Sequence, residues 1–208
     1  MLPDGAEVFS RGNTRRMVIA LTLDDGPRPA TLDHVLAILA RHNVKATFFF
    51  TGLQSAKYPE LVCKTARQGH EIGNHTYDHL RLPKLSDAEK GAEIDRCEDL
   101  LWSITGRRPR FLRPPGGELD RATRRIARAH GLVVAMYDVN LHDDTPGLQP
   151  HQELQSALRR IRPGSIVLGH GAVQATLEIL PTLISTLQAR GYAFVTLSEL
   201  AEESTQDH

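Results

Sequence analysis

The chain has 208 residues, with 25 Lys and Arg against 25 Asp and Glu, a formal net charge of zero and a sequence pI of about 7.2. That length holds one sizeable core and hardly two domains, and the even charge balance argues against nucleic acid or another polyanion held by bulk charge. Aromatic residues are 5% of the chain, too few for a broad carbohydrate platform, and no apolar stretch approaches the roughly 20 residues of a membrane span.

The start, Met1-Leu2-Pro3-Asp4-Gly5, has neither the basic nor the apolar region of a secretory signal. The expectation is a protein that stays inside the cell, or one whose signal lies outside this sequence. The apolar run Met17 to Leu23 reads as a short buried strand, and it stops on Asp24, Asp25, Gly26 and Pro27. Two adjacent carboxylates repel, so at a buried strand end they need a cation or a shared proton. The same four residues are also ordinary turn chemistry.

Thr31 to His42 carries Leu32, Val35, Leu36 and Leu39 on one helical face. Ala46 to Phe50 is a buried strand. Pro59 to Gln68 is a short helix with Pro at its start and Gly69 past its end. Glu71 to Asn74 is a brief strand running into His75, and Ser86 to Glu89 is a capping box opening a helix to about Ile104, ended by Gly106. Arg110 to Arg113 is a short strand ending in Pro114-Pro115-Gly116-Gly117.

Asp120 to Ala129 is helical, with Arg121, Arg124, Arg125 and Arg128 on one face that reads as solvated. Leu132 to Tyr137 is a strand, and Thr145 to Pro150 a loop before a helix to about Arg160. Ser165 to Gly169 is a strand ending at His170. The helix from Ala172 to Arg190 places Val173, Leu177, Leu180, Ile184 and Leu187 on one face, with a kink expected at Pro181. Ala193 to Thr196 is the last strand, before a closing helix to about Glu203. Cys63 and Cys97 have no CxxC spacing and read as free thiols on two helices, with one disulfide as the alternative.

Strand and helix alternate about seven times, which implies a parallel sheet with helices outside. Asp24, Asp25, His75, Arg113, Asp138 and His170 fall at or just after the carboxyl ends of five predicted strands. A barrel brings such ends to one mouth, whereas an open sheet spreads them along an edge. The expected fold is therefore a distorted (β/α) barrel of about seven parallel strands. Residues 1–16 form a lead-in, 17–203 the domain and 204–208 a tail, and a monomer is favoured.

His75 and His79 stand four apart, which on a helical turn puts both imidazoles on one face. Thr76 after the first His excludes the zincin pattern, which needs Glu there. With Asp25 the set becomes two His and one carboxylate, which suits catalytic zinc and equally Fe(II). Water on zinc has its pKa lowered towards 7, and Asp24, beside Asp25, is the candidate base. Arg113 is placed to pair with Asp24 and keep it ionised, and His170 has the right pKa range for the acid. Tyr77 and Tyr137 flank the site in sequence as sugar-stacking candidates, with core packing as the competing reading.

Thr22-Leu23-Asp24-Asp25-Gly26-Pro27, His75-Thr76-Tyr77-Asp78-His79, Arg113-Pro114-Pro115-Gly116-Gly117 and Leu168-Gly169-His170 match, in order, the motifs of polysaccharide deacetylases, the NodB-homology enzymes of carbohydrate esterase family 4. The resemblance spans about residues 17 to 200. It implies a NodB-like barrel, a divalent metal (usually zinc, with Co2+, Ni2+ or Mn2+ as substitutes) and hydrolysis of N-acetyl groups from N-acetylglucosamine units in chitin or peptidoglycan, or less often of O-acetyl groups in xylan. By position, Asp25, His75 and His79 are the ligands, Asp24 the base, Arg113 its holder and His170 the acid. The backbone N–H of Gly116 serves the oxyanion, at a position where the family often has Tyr.

The fourth motif departs from the family's Asp-x-Asp-Ser-x-Asp-Trp, reading Asp138-Val139-Asn140-Leu141-His142-Asp143-Asp144. Asp143 aligns with the carboxylate that orients the acid histidine, with Asp144 as the competing candidate, and Asp144 replaces the Trp that helps line the acetyl pocket. His142 and Leu168 are the candidates to fill that space. The altered motif also suggests a deformylase or amidase of the same fold acting on a non-polymeric amide. A glycan-binding module with a residual metal and an Fe(II) oxygenase are the remaining readings. The family mostly works in the cell envelope or outside the cell.

Overall fold

The computed structural model describes residues 7–145, 147 and 149–206. Pro146 and Leu148 of the loop predicted at Thr145–Pro150 lie outside the described residues, as do residues 1–6 and 207–208. The element order is β1 (Val8–Phe9), β2 (Val18–Asp24), α1 (Pro29–Arg41), β3 (Thr47–Phe50), α2 (Gly52–Lys57), α3 (Pro59–Arg67), β4 (Glu71–Asn74), α4 (Asp87–Thr105), β5 (Phe111–Leu112), α5 (Arg121–Ala129), β6 (Val133–Ala135), β7 (Val139–Asn140), α6 (Pro150–Arg160), β8 (Ile166–His170), α7 (Gln174–Ala189), β9 (Ala193–Val195) and α8 (Leu197–Gln206).

The strands form one sheet of nine in the order β1-β6-β5-β4-β3-β2-β8-β7, with β9 on β2. All strand pairs are parallel. On β2, Val18–Ala20 pair with β9 and Thr22–Asp24 with β3. The path ends at β1 and β7 rather than closing, so the fold is a distorted (β/α) barrel. β1 and β7 are additional to the seven strands read from the sequence. Each has two residues, too few to carry an alternation.

β2 is buried over its whole length, as a strand covered on both faces must be. Its side chains alternate between two cores. Ile19, Leu21 and Leu23 pack with Leu32, Val35, Leu36 and Leu39 of α1 and with Leu180, Leu183, Ile184 and Leu187 of α7. Val18 and Ala20 face the interior with Phe49, Phe111, Ala135 and Ile166. Thr22 and Asp24 share that inward alternation, so the carboxylate of Asp24 points into the barrel mouth and not into a helix.

Local signals explain the helix ends. Ser86 Oγ accepts from the Glu89 N–H while the Glu89 carboxylate accepts from the Ser86 N–H, and Gly106 closes α4 at φ 70°. Such a cap is worth about 1 kcal/mol. α7 runs unbroken through Pro181 and starts after Val173, which precedes the helix and makes no side-chain cap to it. Cys63 and Cys97 are free thiols on α3 and α4, and burial pushes the Cys97 thiol up to about 12. The four arginines of α5 are exposed, and two pair with carboxylates, Arg125 with Asp87 and Arg128 with Glu7.

Asp138 is a correction. It lies before β7, and its carboxylate accepts from the Ile166 N–H at 2.8 Å and from Ser165 Oγ at 3.0 Å. Both partners sit at the amino end of β8, so Asp138 ties strands together at the end of the barrel away from the mouth.

Candidate active site

Asp24 and His170 are the last residues of β2 and β8. His75 directly follows β4, and Arg113 directly follows β5. Parallel strands bring these ends to one side, where a cavity of about 440 Å³ opens.

Asp25 turns away from β2 at φ 64°, in the left-handed region. Its Oδ1 lies 3.3 Å from His79 Nε2 and 3.8 Å from His75 Nε2. His75 Nδ1 is 2.7 Å from the carbonyl oxygen of Arg113. A carbonyl only accepts, so Nδ1 carries the hydrogen and Nε2 presents its lone pair to the cavity. The two histidines do not share a helical turn, contrary to the reading of their spacing. Residues 75–81 are irregular, and Thr76 and His79 take positive φ of 64° and 59°. That backbone brings the rings to 4.9 Å between centroids. Asn74 Oδ1 accepting from the Thr76 N–H and the Glu93 carboxylate accepting from the Asp78 N–H hold the segment, each at 2.8 Å.

Burial, and next the charge of His75, lower the pKa of His79, against the raising effect of Asp25 and Asp24. Two imidazoles and a carboxylate with ligand atoms all within 4.8 Å of one another fit a divalent cation. Asp143, Asp144 and His170 form a second group within the same distance. There, however, Asp143 is already committed to His170.

Asp24 is 5% exposed. Its Oδ1 accepts from Arg113 Nη1 at 2.8 Å, and its Oδ2 is 3.9 Å from His75 Nε2. Arg113 is 1% exposed, and all three nitrogens of its guanidinium donate hydrogen bonds. Nε donates to the Ala135 carbonyl at 3.1 Å, Nη1 also to Thr22 Oγ1 at 2.7 Å, and Nη2 to the Met136 carbonyl at 3.1 Å. The cation also sits 4.2 Å from the centre of the Phe49 ring. A buried charge so fully bonded is a fixed electrostatic partner for Asp24.

Asp143 has a fully buried side chain. Its Oδ1 is 2.7 Å from His170 Nδ1, and its Oδ2 accepts from the His170 N–H at 2.7 Å and from Thr176 Oγ1. Burial lowers the pKa of His170, but the hydrogen bond its Nδ1–H donates to Asp143, the charge of Asp143 and those of Asp24 and Asp144 outweigh this and push it up to about 9. Nε2 of His170 faces the cavity, 3.8 Å from Asp144 Oδ2. Gly169 makes room for this pair: a Cβ there would stand 3.2 Å from Asp143 Oδ2.

Tyr137, Leu168 and Gly116 line the cavity, whereas Tyr77 and His142 do not. Tyr77 lies over Gly52 and under the guanidinium of Arg96, 3.8 Å from its ring centre, and borders a smaller neighbouring cleft. His142 points instead towards α6 and α7, beside Pro150 and Ile179. Gly116 sits at φ 67°, with Arg81 Nη1 3.0 Å from where its Cβ would be. Arg81, Asn140 and Asp144 also line the cavity. Asp144 stands where the sequence puts the family's pocket Trp, whereas Arg81 and Asn140 are not singled out by the sequence. For Arg81, a position two residues after His79 was the available signal.

Residues 11–135 match the family described as polysaccharide deacetylase. The chain is 34% identical over 205 residues to a peptidoglycan-N-acetylglucosamine deacetylase of Bacillus cereus, covering 97% of this chain and 74% of that protein. It is 36% identical over 191 residues to the peptidoglycan-N-acetylglucosamine deacetylase PgdA of Listeria monocytogenes, covering 90% of this chain and 40% of that protein. It thus spans about two fifths of that relative's length. Among solved structures, the Bc1960 peptidoglycan N-acetylglucosamine deacetylase superposes with a TM-score of 0.89 or better, namely 0.90, at 32% identity, over 95% of this chain and 94% of that one. BA3943 of Bacillus anthracis, described as a CE4 family pseudoenzyme, superposes at 0.89 with 29% identity, over 94% of this chain and 69% of that one.

Proposed function

Because the chain belongs to the polysaccharide deacetylase family, we propose that it is a metal-dependent hydrolase that removes N-acetyl groups from an N-acetylglucosamine-containing glycan, with peptidoglycan as the first substrate to try. A pseudoenzyme shares this fold, so the side chains carry the argument. The observation that carries it is Asp24, buried, bonded to Arg113 and set beside Asp25, His75 and His79, with His170 across the sheet.

Asp25, His75 and His79 would hold the cation, and zinc suits two imidazoles and a carboxylate, with Co2+, Ni2+ or Mn2+ as substitutes. When bound, it supplies Lewis acidity, acidifying water and drawing charge onto the acetyl oxygen. Asp24 takes the proton from the attacking water, and the Arg113 guanidinium keeps its carboxylate ionised and aimed. His170 gives its Nε2 proton to the nitrogen as the C–N bond breaks, with Asp143 holding Nδ1 and favouring the protonated ring. The Gly116 N–H is the chain's own donor to the oxyanion. Tyr137 and Leu168 supply the apolar wall for the acetyl group and sugar ring.

The test is acetate release from peptidoglycan fragments, N-acetylglucosamine oligomers and acetylated xylan, beside formylated sugars and simple amides, with and without chelator. Acetate from the N-acetyl sugars, lost with chelator and restored by zinc, is the expected result. Faster turnover of a simple amide would favour a non-polymeric amidase. Glycan binding without turnover under any metal would contradict the enzyme reading.

A further inference from the structure

The cavity holds a carboxylate that the hydrolytic steps leave unused. Asp144 Oδ2 lies 3.8 Å from His170 Nε2, and its side chain is 53% exposed. Among the described residues its ion-pair partner is His170. The other charges at the mouth are committed: Asp24 to Arg113, Asp25 to the metal group, and Arg81 to Glu118.

The reaction moves charge past this carboxylate. A general acid works at roughly 2.6–3.2 Å from the atom it protonates. The reacting nitrogen must therefore sit beside His170 Nε2, in the space Asp144 borders. When water adds to the acetyl carbon, the C–O bond forms and Asp24 takes one proton. When the C–N bond breaks, His170 gives its proton to nitrogen, and the proton on Asp24 resets His170. The remaining proton of the new acetic acid passes to the amine at neutral pH. The products are acetate and a sugar ammonium, so amide and water are balanced with no further reactant. His170 ends the cycle as it began, and a new positive charge has appeared on the substrate nitrogen, in reach of the same carboxylate.

We propose that Asp144 recognises the amino group of a 2-amino sugar, so that the site has affinity for glucosamine-bearing, already deacetylated glycan. The inference rests on the deacetylase reading for its choice of ligand. It makes Asp144 a specificity residue that binds product, and it predicts that this protein dwells on partly deacetylated chains.

Calorimetric titration tests it with two tetramers, β-1,4-linked glucosamine and β-1,4-linked glucose, which differ in an ammonium or a hydroxyl at carbon 2. The titrations use the metal-loaded full chain at pH 6, as wild type, Asp144→Asn and Asp144→Glu. Asp144→Asn is expected to lose about three- to tenfold in affinity for the glucosamine tetramer, the range of a partly exposed ion pair. Affinity for the glucose tetramer should not change, Asp144→Glu should retain most of the preference, and added salt should narrow it. Equal affinity of wild type and Asp144→Asn for the amine would overturn the proposal. So would a parallel loss for both tetramers, which marks a change of groove shape, or no measurable binding of the amine to wild type. Binding is read without turnover, so a protein that binds the amine through Asp144 yet releases no acetate would sink the enzyme reading and leave this one standing.

Discussion

Asp24 and His170 face each other as register partners at the ends of two hydrogen-bonded parallel strands, β2 and β8. The backbone positions that carry the proposed base and acid are therefore spaced by the sheet itself, at the interstrand distance of about 4.8 Å. Catalytic geometry built on strands is less free to drift than geometry built on loops.

The residue before the acid is closely packed on its Cβ side. A Cβ at Gly169 would meet Leu141 Cδ1 at 3.0 Å and Asp143 Oδ2 at 3.2 Å. Gly169→Ala should push Asp143 off His170 and lower kcat about 10- to 100-fold, the cost of a displacement near 1 Å. Metal content, measured on the same sample, should stay at the wild-type value.

Arg113 ties the base to a ligand. Its side chain bonds Asp24 while its own carbonyl accepts from His75. Arg113→Ala leaves a buried carboxylate without its cation, and urea unfolding should show a loss of about 3–5 kcal/mol. Arg113→Lys keeps the charge but cannot remake the fork to Ala135, Thr22, Asp24 and Met136. It should recover part of the stability and little of the activity.

The Asp143–His170 pair sets a pH dependence. A raised histidine pKa, here to about 9, contributes stability that is fully present below its unfolded value near 6.5 and lost as pH rises through 9. The pKa of Asp143 is lowered: burial raises it, and its hydrogen bonds and charge interaction with His170 more than reverse this. Its contribution is present above the unfolded value near 3.8 and lost as pH falls through the folded one. The pair thus stabilises most between about pH 4 and 6.5. Asp143→Asn should move the basic limb of the acetate-release profile to lower pH by about one unit or more. An unmoved limb would exclude His170 as the acid.

Metal should stabilise the fold measurably, since Asp25, His75 and His79 come together only in the folded chain. Zinc at 100 times its dissociation constant adds about 2.7 kcal/mol, or roughly 5–10 °C in Tm for a chain of this size. Scanning calorimetry with and without chelator checks it, and Asp25→Ala, His75→Ala and His79→Ala should each remove the difference.

Much of this architecture is legible in the amino-acid sequence. β2, with its unbroken apolar run stopped by Asp24 and Asp25, and α4, with its capping box and Gly106, announce themselves through local chemistry. α2 was not seen. It is six residues long with no apolar period, although Thr51 capping Gln54 was a usable signal. The HxxxH spacing pointed to the right pair for the wrong reason, because positive φ at Thr76 and His79 is a tertiary outcome that spacing does not encode. Asp143 and Asp144 are chemically identical neighbours. Long-range contacts separate them: Thr176 and the His170 backbone hold Asp143 on the Nδ1 side, and Asp144 is left on the Nε2 side.

The central claim is that Asp25, His75 and His79 hold one cation beside Asp24 as base. The most direct measurement is metal per chain and acetate release, taken together on wild type and Asp24→Asn. The expected result is one equivalent of divalent metal in both, with acetate release about 10²- to 10⁴-fold slower in the variant. A variant that keeps wild-type turnover, or a wild type that binds no divalent metal, would contradict it.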